Sequence, residues 1–317
     1  MRCLVTGGAG FIGGHLVNRL IGFGHEVVSI DNESGTSNDK FYWNPKSLKV
    51  KSDICDYKKI EPLFEGVDFV FHLAAQARIQ CGIDNPSSTV MSNAVGTVNV
   101  LEASRQHGVK KVVYASTSSC YGLKNTPPLR EDMLTDCLTP YSVSKVCGEG
   151  LCRTYYMLHG LKTISLRYFN VYGERQPTQG QYATVVGLFL KQYQNKEPMT
   201  IVGDGTQRRD FTHIKDVVSA TVMAADCDNE DAFGEVYNIG SGSSHSIMEL
   251  SKMIGSDRVH IPERKGEARE TLADISKAHA HFGWEPQSNL IAWVKTQVAF
   301  LSGNIINIRD LNKGRRK

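Results

Sequence analysis

Hydrophobic and polar positions in the first 170 residues alternate between short apolar runs and amphipathic stretches with helical spacing. Residues 68–75 form a nearly continuous apolar run, which is typical of a strand buried on both faces. The predicted strands are residues 2–6, 26–31, 48–50, 68–75, 111–115 and 162–168, and the predicted helices start after residue 10 and cover about 88–107 and 141–159. This alternation predicts an α/β fold with a doubly wound parallel sheet.

The pattern weakens after about residue 170. The remaining predicted elements are a polar loop (173–181), helices near 185–194 and 215–225, strands at 199–202 and 235–239, and two or three short helices. We expect a nucleotide-binding domain over 1–170, rejoined by about 213–241, and a smaller mixed α/β substrate lobe over 171–212 and 242–317. A cleft between two lobes is the default ligand site.

Composition excludes several classes of function. The 317-residue chain has a net charge of +3, which is too small to indicate a nucleic-acid partner, and its apolar runs are too short to span a membrane. Its eight cysteines are scattered without a C-x-x-C pair. We therefore expect reduced thiols in a cytoplasmic protein, with neither a disulfide framework nor a metal site.

A glycine-rich turn follows the first predicted strand. Gly7, Gly10 and Gly13 are spaced as G-x-x-G-x-x-G, between a strand and a helix. This arrangement lets a pyrophosphate approach the backbone and the helix N-terminus, so it predicts a dinucleotide site. Asp31 ends the second strand, where an acid accepts ribose hydroxyls and repels a 2′-phosphate. The pattern therefore favours NAD over NADP.

Three further strand ends bear on the cofactor. Asp53 and Ile54 suit an adenine amine and ring, although Asp53 equally suits the cap of a helix near Tyr57, and both roles are compatible. Two small residues after the fourth strand, Ala74 and Ala75, leave room for the nicotinamide ribose. His72 before them is expected to be a hydrogen-bonded core residue rather than a ligand.

Tyr141 and Lys145 are four residues apart on a predicted helix and therefore lie on one face, one turn apart. A tyrosine, whose ordinary pKa is about 10, becomes a base at neutral pH only with help, and a nearby ammonium favours its phenolate. Thr117 ends the fifth strand and completes a possible hydrogen-bond relay to a substrate hydroxyl.

Together these motifs resemble the extended short-chain dehydrogenase/reductase family, which has a Rossmann-type nucleotide domain. The matching segments are the turn 6–13, Asp31-Asn32, residues 72–76, Tyr141-x-x-x-Lys145 and residues 166–173. Within that family the chain is most similar to nucleotide-sugar epimerases of the UDP-glucose 4-epimerase type. The likeness extends over nearly the whole length.

This resemblance implies roles for individual residues. Thr117, Tyr141 and Lys145 would be catalytic. The implied NAD-binding residues are Gly7, Gly10, Phe11, Ile12, Gly13, Asp31, Asn32, Asp53, Ile54, Leu73, Ala74, Ala75, Gln76, Asn93, Tyr141, Lys145 and Tyr168. The implied substrate-binding residues are Thr117, Ser118, Asn170 (on the diphosphate), Thr184, Val185, Arg209, Arg264, Glu267 and Thr271.

The same resemblance indicates the reaction. Relatives that dehydrate or decarboxylate sugar nucleotides carry acids where this chain has Ser118 and Ser119. The absence of these acids favours 4-epimerisation through a 4-keto sugar, with no net redox change. Thr271 stands where enzymes restricted to glucose and galactose carry tyrosine, so UDP-N-acetylhexosamines are expected as substrates besides UDP-glucose.

Other interpretations stay open at this point. A 4-epimerase of a UDP-uronic acid, a decarboxylase or dehydratase, and a non-catalytic NAD-binding scaffold are the alternatives. A homodimer paired through the helices at 88–107 and 141–159 is expected from the resemblance, although their apolar content equally fits burial against the sheet.

Overall fold

A seven-stranded parallel sheet forms the centre of the fold. The computed structural model describes residues 1–35, 40–77, 79–179, 183–263 and 268–303, with the backbone alone for 79–81. The sheet strands are β1 (Arg2–Thr6), β2 (Glu26–Asp31), β3 (Leu48–Lys51), β4 (Phe69–His72), β5 (Lys111–Thr117), β6 (Lys162–Tyr168) and β11 (Glu235–Ile239). Their order is β11-β6-β5-β4-β1-β2-β3. The predicted doubly wound α/β sheet is confirmed, and the strand at 235–239 joins its edge.

Helices cover both faces of this sheet. They are α1 (Phe11–Gly22), α2 (Tyr57–Ile60), α3 (Ile79–Asp84), α4 (Pro86–Val90), α5 (Gly96–Gln106), α6 (Pro140–His159), α7 (Val185–Gln194), α8 (Ile214–Asp226), α9 (Ile247–Ile254), α10 (Ser276–Phe282) and α11 (Leu290–Leu301). One π-helical turn, Met91–Val95, joins α4 to α5. The single helix predicted over 88–107 is therefore interrupted by a wider turn.

Alternation along each buried strand divides the core into two layers. Leu4 packs with the apolar residues beneath α5 and α6, whereas Val5, its neighbour in β1, packs on the opposite face with α1 and α8. Because successive side chains of a strand point to opposite faces, a strand covered on both sides must be apolar throughout. This explains the continuous apolar run in β4.

The buried polar residue in that run, His72, is fully hydrogen-bonded. Its Nδ1 lies 2.7 Å from Thr6 Oγ1 and its Nε2 lies 2.9 Å from Thr97 Oγ1. Burial lowers the pKa of His72 to about 3, so the ring is neutral. The expectation of a hydrogen-bonded core histidine agrees with this geometry.

A second apolar cluster lies beyond the large sheet. The remaining strands form three two-stranded sheets: β7 (Val171–Tyr172) with β10 (Thr212–His213), β9 (Arg208–Asp210) with β12 (Ser244–Ser246), and β8 (Met199–Val202) with β13 (Arg258–Ile261). The helices α7, α9 and α11 close over β8 through buried residues such as Phe189, Leu250 and Val294. This cluster forms a smaller lobe.

Besides the side that packs on the sheet, α6 and the π turn before α5 carry exposed apolar residues. Beyond the residues that pack on the sheet, Met91 and Val95 of the π turn and Val143 and Met157 of α6 are exposed. Their exposure leaves an apolar face on these helices, and pairing of two chains through it stays a prediction. No helix in the described part of the chain is long and apolar enough to cross a membrane.

One carboxylate fastens the C-terminal segment to the large sheet. Asp216, in the first turn of α8, accepts hydrogen bonds from Gln287 N and Ser288 N, both at 3.0 Å. Its carbonyl oxygen accepts from Trp284 Nε1 at 3.1 Å, and Trp284 is fully buried. Both carboxylate oxygens of Asp216 are therefore used in joining the two segments.

We expect Asp216→Asn to lower the free energy of unfolding by about 2 kcal/mol, because the amide group of the buried side chain would face one of the two backbone N–H donors. Chemical denaturation of the variant and the parent protein measures this difference. The matched control is Asp226→Asn at the exposed last residue of the same helix, which we expect to change stability by less than about 0.5 kcal/mol. Equal losses in both variants would contradict the assigned link.

Candidate active site

A large cleft runs along the carboxyl ends of the parallel strands and under the smaller lobe. Its volume is about 1210 Å³, enough for a dinucleotide together with a sugar nucleotide. The predicted site residues that line it are Gly7, Gly10, Phe11, Ile12, Gly13, Asp31, Asn32, Ile54, Leu73, Ala74, Ala75, Gln76, Thr117, Ser118, Tyr141, Lys145, Tyr168, Asn170, Thr184, Val185, Arg209 and Thr271. Arg264 and Glu267 lie outside the described residues.

The glycine turn after β1 has the shape that a diphosphate needs. Gly7 has φ +68°, and a Cβ there would lie 2.8 Å from Ala74 N. A Cβ on Gly13 would collide with the carbonyl oxygen of Gly7. Gly10 begins α1 without a side-chain cap, so the first N–H groups of the helix stay available to an anion. The turn therefore fits the pyrophosphate of NAD.

Asp31 stands at the end of β2 where the adenosine ribose is expected. Its Oδ1 accepts from Glu33 N at 2.8 Å and its Oδ2 from Ala9 N at 3.1 Å. Burial raises the pKa of this carboxyl group. Each oxygen keeps a further lone pair, so the carboxylate is fixed in place and still able to accept from a ribose hydroxyl.

Asp53 does not cap the helix that follows it. The N-cap of α2 is Asp56, and Asp53 instead accepts from Cys55 N and from Asn32 Nδ2, both at 2.8 Å. The alternative role as a cap is therefore wrong, because the chain makes a tight turn at 53–55 before α2 begins. Asp53 itself stands behind Asn32, and its neighbour Ile54 lines the cleft.

Asn93 is buried behind the cofactor cleft. Its Oδ1 accepts from Gln76 N at 2.7 Å, and its Nδ2 donates to Ser144 Oγ at 2.9 Å. It therefore connects the loop after β4 to α6, and Gln76 rather than Asn93 faces the cleft. Ser144, which the sequence analysis missed, also donates to the carbonyl oxygen of Tyr141.

Tyr168 is a further case in which the polar group points away. Its hydroxyl lies 2.8 Å from Thr221 Oγ1 on α8, and burial raises its pKa. Tyr168 lines the cleft with the rest of its side chain. It therefore offers a wall to the cofactor rather than a hydrogen-bonding group.

The first two turns of α6 carry the predicted catalytic pair. Thr139 and Ser142 form a capping box that fixes the start of the helix, with Tyr141 in its first turn. Lys145 follows one turn later and is 3% exposed, with Nζ 4.3 Å from the ring centroid of Tyr114. Burial lowers the pKa of Lys145 to about 7, against the opposing charges of Cys152 and Glu149.

Thr117 reaches the same cleft from the end of β5. Its Oγ1 accepts from Ser119 N at 3.2 Å and lies 3.0 Å from Ser119 Oγ. Ser118 and Ser119 begin a short 3₁₀ turn. Hydroxyl groups therefore stand at the two positions where an acid would be expected in a dehydratase or a decarboxylase. Thr117, Tyr141 and Lys145 thus all line the same cleft.

Carboxylates are sparse along this wall. Of the described residues that line the cleft, the acids are Asp31 and Glu270. Glu270 is engaged in the smaller lobe, where its Oε1 accepts from Ser244 Oγ at 2.6 Å. The described residues contain no group of three or more His, Cys, Asp or Glu side chains that could hold a metal ion.

The substrate end is built around Asn170 and Thr271. Asn170 Nδ2 donates to the carbonyl oxygen of Asp210 at 3.0 Å and to Thr271 Oγ1 at 3.2 Å. Both amide hydrogens are therefore used within the protein, which differs from the expected contact of Asn170 with a diphosphate. Thr271 Oγ1 also accepts from Asp210 N at 3.3 Å.

Three further predicted substrate residues line the cleft. Arg209 Nη1 donates to the carbonyl oxygens of Arg208 and Ala268, which directs its side chain along the cleft wall. Thr184 caps α7, because its Oγ1 accepts from Gly187 N at 3.1 Å, and Val185 follows it. These contacts fix the positions of both segments before any ligand binds.

Asp210 is the residue that sequence reasoning missed here. This fully buried carboxylate accepts from Ser241 N and Oγ, Gly242 N and Ala273 N at 2.6–3.1 Å. Burial raises its pKa, while these donors oppose the rise. It joins β9 to the segments after β11 and after Thr271. The available signal was an acid beside the apolar Phe211 in a strand-length segment.

Comparison with known proteins agrees with this geometry. The profile of the NAD dependent epimerase/dehydratase family matches residues 3–240. The chain is 36% identical to a UDP-glucose 4-epimerase of Mycolicibacterium smegmatis, covering 95% of this chain and 98% of that protein. It is also 36% identical to a UDP-glucuronate 4-epimerase of Thermodesulfobacterium geofontis, with 97% and 98% covered. A UDP-N-acetyl-alpha-D-glucosaminuronate decarboxylase of Bacillus cytotoxicus is 37% identical, with 90% and 94% covered.

Comparison with solved structures also finds UDP-sugar 4-epimerases. A UDP-glucose 4-epimerase of Thermotoga maritima with UDP-glucose superposes with a TM-score of 0.89 at 34% identity, covering 96% of this chain and 99% of that one. A UDP-N-acetylglucosamine 4-epimerase of Methanobrevibacter ruminantium gives 0.87 at 30% identity, with 96% and 99% covered. A UDP-glucuronic acid 4-epimerase of Bacillus cereus with UDP-glucuronic acid and NAD gives 0.85 at 33% identity, with 96% and 100% covered.

The family match, the long alignments and the glycine turn that fits NAD lead to one conclusion. This chain belongs to the NAD dependent epimerase/dehydratase family, within its group of UDP-sugar 4-epimerases, which are isomerases that use NAD as their cofactor.

Proposed function

We propose that this enzyme interconverts UDP-N-acetylglucosamine and UDP-N-acetylgalactosamine, and also UDP-glucose and UDP-galactose, through a 4-keto sugar. The observation that carries the proposal is the catalytic end of the cleft. Thr117, Tyr141 and Lys145 all line the cleft, as do Ser118 and Ser119, and the acids among the described lining residues are limited to Asp31 and Glu270. Epimerisation at C4 needs only hydride transfer and the transfer of one hydroxyl proton.

Tyr141 is the group that exchanges this proton with the sugar. As a base it takes the proton of the 4-hydroxyl, and as an acid it returns a proton to the 4-keto oxygen. Thr117, at the end of β5, holds the same oxygen with its hydroxyl. When bound, NAD supplies the hydride acceptor and donor for the sugar C4. Between the two hydride transfers the 4-keto sugar rotates in the cleft. The hydride therefore returns to the opposite face of C4 and inverts its configuration.

Lys145 favours the phenolate form of Tyr141. The two residues are one helical turn apart, and the ammonium lies in a site where solvent screens little of its charge because Lys145 is almost fully buried. Burial also weakens the ammonium itself, since the pKa of Lys145 falls to about 7. We infer that activity depends on the fraction of Lys145 that stays protonated.

Thr271 supports the choice of an N-acetylated sugar. Its hydroxyl is held by Asn170 Nδ2 and Asp210 N, so this short side chain stays against the wall of the smaller lobe. Space beyond a small residue admits a 2-acetamido group and also admits a plain hydroxyl. The Methanobrevibacter ruminantium neighbour, named for UDP-N-acetylglucosamine, is consistent with this substrate class.

A 4-epimerase of a UDP-uronic acid is the second candidate. Ser118 and Ser119 bring hydroxyl donors to the catalytic end, and such donors suit a sugar carboxylate. The relative from Thermodesulfobacterium geofontis is named for UDP-glucuronate. A decarboxylase or dehydratase has less support, because these two serines stand where an acid would be needed. A non-catalytic scaffold has the least, since all three catalytic side chains are present.

Proton NMR of the purified protein with single UDP-sugars tests the proposed function. We expect the galacto anomeric signal to grow from UDP-N-acetylglucosamine and from UDP-glucose, with saturating NAD present. UDP-glucuronate serves as the competing substrate in a parallel sample. Faster turnover of UDP-glucuronate would replace the proposal by the second candidate. Inactivity toward all three would refute both.

The substitution Tyr141→Phe is expected to lower kcat by about 10³-fold, because the proton donor and acceptor at C4 is lost while the ring is retained. The same NMR assay measures it. Tyr57→Phe is the matched control. Tyr57 on α2 donates from Oη to Gln106 Oε1 at the end of α5, and Tyr57 does not line the cleft. Activity that survives in Tyr141→Phe would remove Tyr141 from its proposed role.

Enlarging the side chain at position 271 is expected to separate the two substrate classes. Thr271→Tyr should lower kcat/KM for UDP-N-acetylglucosamine by about 100-fold, and for UDP-glucose by less than about fivefold, because only the acetamido group needs the space. Thr271→Val keeps the volume and removes the hydroxyl, so it controls for the lost bond to Asn170. A selective loss in Thr271→Val would show that the hydroxyl, rather than the space, selects the sugar.

A further inference from the structure

A buried ion pair joins the elements that carry the catalytic groups. Glu149 on α6 and Arg167 on β6 have side chains 6% and 4% exposed. Arg167 Nε donates to Glu149 Oε1 at 2.8 Å, and Nη2 donates to Oε2 at 2.7 Å. This two-bond geometry fixes both the distance and the angle between helix and strand.

The same carboxylate also holds β5. Ser116 Oγ donates to Glu149 Oε1 at 2.5 Å, and Ser116 is the residue before Thr117. One side chain therefore connects three elements: α6, which carries Tyr141 and Lys145; β5, which ends in Thr117; and β6.

Arg167 extends this connection to the cleft wall. Its guanidinium carbon lies 4.9 Å from the ring centroid of Tyr121, which lines the cleft. Its third nitrogen, Nη1, is buried and finds no hydrogen-bond acceptor within the described residues. A guanidinium that is not fully satisfied is a poor choice for stability alone, because an apolar pair of similar volume is often as stable as a buried ion pair.

We infer that Glu149 and Arg167 are positioning residues for the 4-epimerase reaction, holding the Thr117 end of β5 and the Tyr141–Lys145 face of α6 at a fixed separation. This inference rests on the proposed function, since it concerns the same proton transfer. Neither residue is among the described residues that line the cleft. Their effect is exerted through Ser116 and through the first three turns of α6.

The charge of Glu149 adds a second effect. Lys145 is one helical turn from Glu149, and the charge of Glu149 raises the pKa of Lys145 against the lowering by burial. The other titratable groups that face Lys145 are Tyr141 and Cys152 on α6, Tyr114 on β5 and His72 on β4. Burial raises the pKa of the Cys152 thiol to about 12 and raises that of Tyr114, while it lowers the pKa of His72 to about 3, so these three groups are neutral and Glu149 is the nearby anion.

The deciding variant is the double substitution Glu149→Met with Arg167→Met in the NAD-loaded protein. Methionine keeps the volume of both side chains, so we expect thermal unfolding close to that of the parent protein. We expect kcat to fall about 10²-fold with KM changed by less than about threefold, because a small misplacement affects the transition state more than binding. The alkaline limb of the pH profile of kcat should move to lower pH by about one unit, because Lys145 loses its anion.

Two further variants complete the design. Ser116→Ala removes only the link to β5, and we expect it to lower kcat about tenfold without a change in the pH profile. Arg153→Gln removes an exposed ion pair between the same helix and Glu235 of β11 while leaving the Lys277–Glu235 pair in place, and it should change none of these quantities.

Parent-like kcat and pH profile in the double methionine variant would overturn the inference. If that variant does not fold, Ser116→Ala decides in its place, and an unchanged kcat there has the same meaning. NMR titration of ε-carbon-labelled Lys145 in the NAD-loaded protein needs no sugar substrate. A parent protein that is inactive on every UDP-sugar therefore refutes the proposed function, while an unchanged Lys145 titration in the double variant refutes this inference separately.

Discussion

The rest of this structure depends on a close approach of backbone to backbone at the turn after β1. Gly7 lies against the start of the loop after β4, and Gly13 lies against Gly7, with no space for a Cβ at either position. This packing places the N-terminus of α1 directly over the ends of β1 and β4. The dinucleotide end of the cleft therefore depends on the absence of a Cβ at these two positions. The remaining strands extend the cleft from this point.

Buried charge organises the rest of the site. Lys145, Glu149 and Arg167 together carry a net positive charge beneath the cleft, where the proposed proton transfer would create a negative oxygen. In the smaller lobe the buried charge is negative. The carboxylate of Asp210 accepts hydrogen bonds from backbone N–H groups and one hydroxyl. In both places the charged group is nearly excluded from water, so its interactions are strong and directional. Buried charged groups thus hold both ends of the cleft in place.

Sequence patterns could predict most of the fold and the location of the site. The strand periodicity, the glycine spacing and the Tyr141–Lys145 interval are local features, and each appears in the structure close to where it was expected. What the sequence could not give was the partner of each polar group. Asn93, Tyr168 and Asn170 were assigned to ligands, yet their polar atoms bond to Ser144, Thr221 and Thr271 respectively. Such pairs connect residues 51–101 positions apart, and nothing in a local pattern specifies them. No local pattern specifies the pairing of Glu149 with Arg167 either, or the four hydrogen-bond donors of Asp210.

The bond between Asn170 and Thr271 has a consequence for how this scaffold changes its sugar. The side chain of Thr271 is held by the amide of Asn170 and the main-chain N–H of Asp210, whereas the proposed catalytic residues stand on separate elements, β5 and α6. Exchange of one residue there alters the shape offered to the sugar while the reacting groups keep their positions. On the proposed function, substrate range and catalytic power would therefore be separable traits in this architecture. The solved neighbours, at about one-third identity, include proteins named for UDP-glucose, UDP-N-acetylglucosamine and UDP-glucuronic acid, a range that such separability would allow.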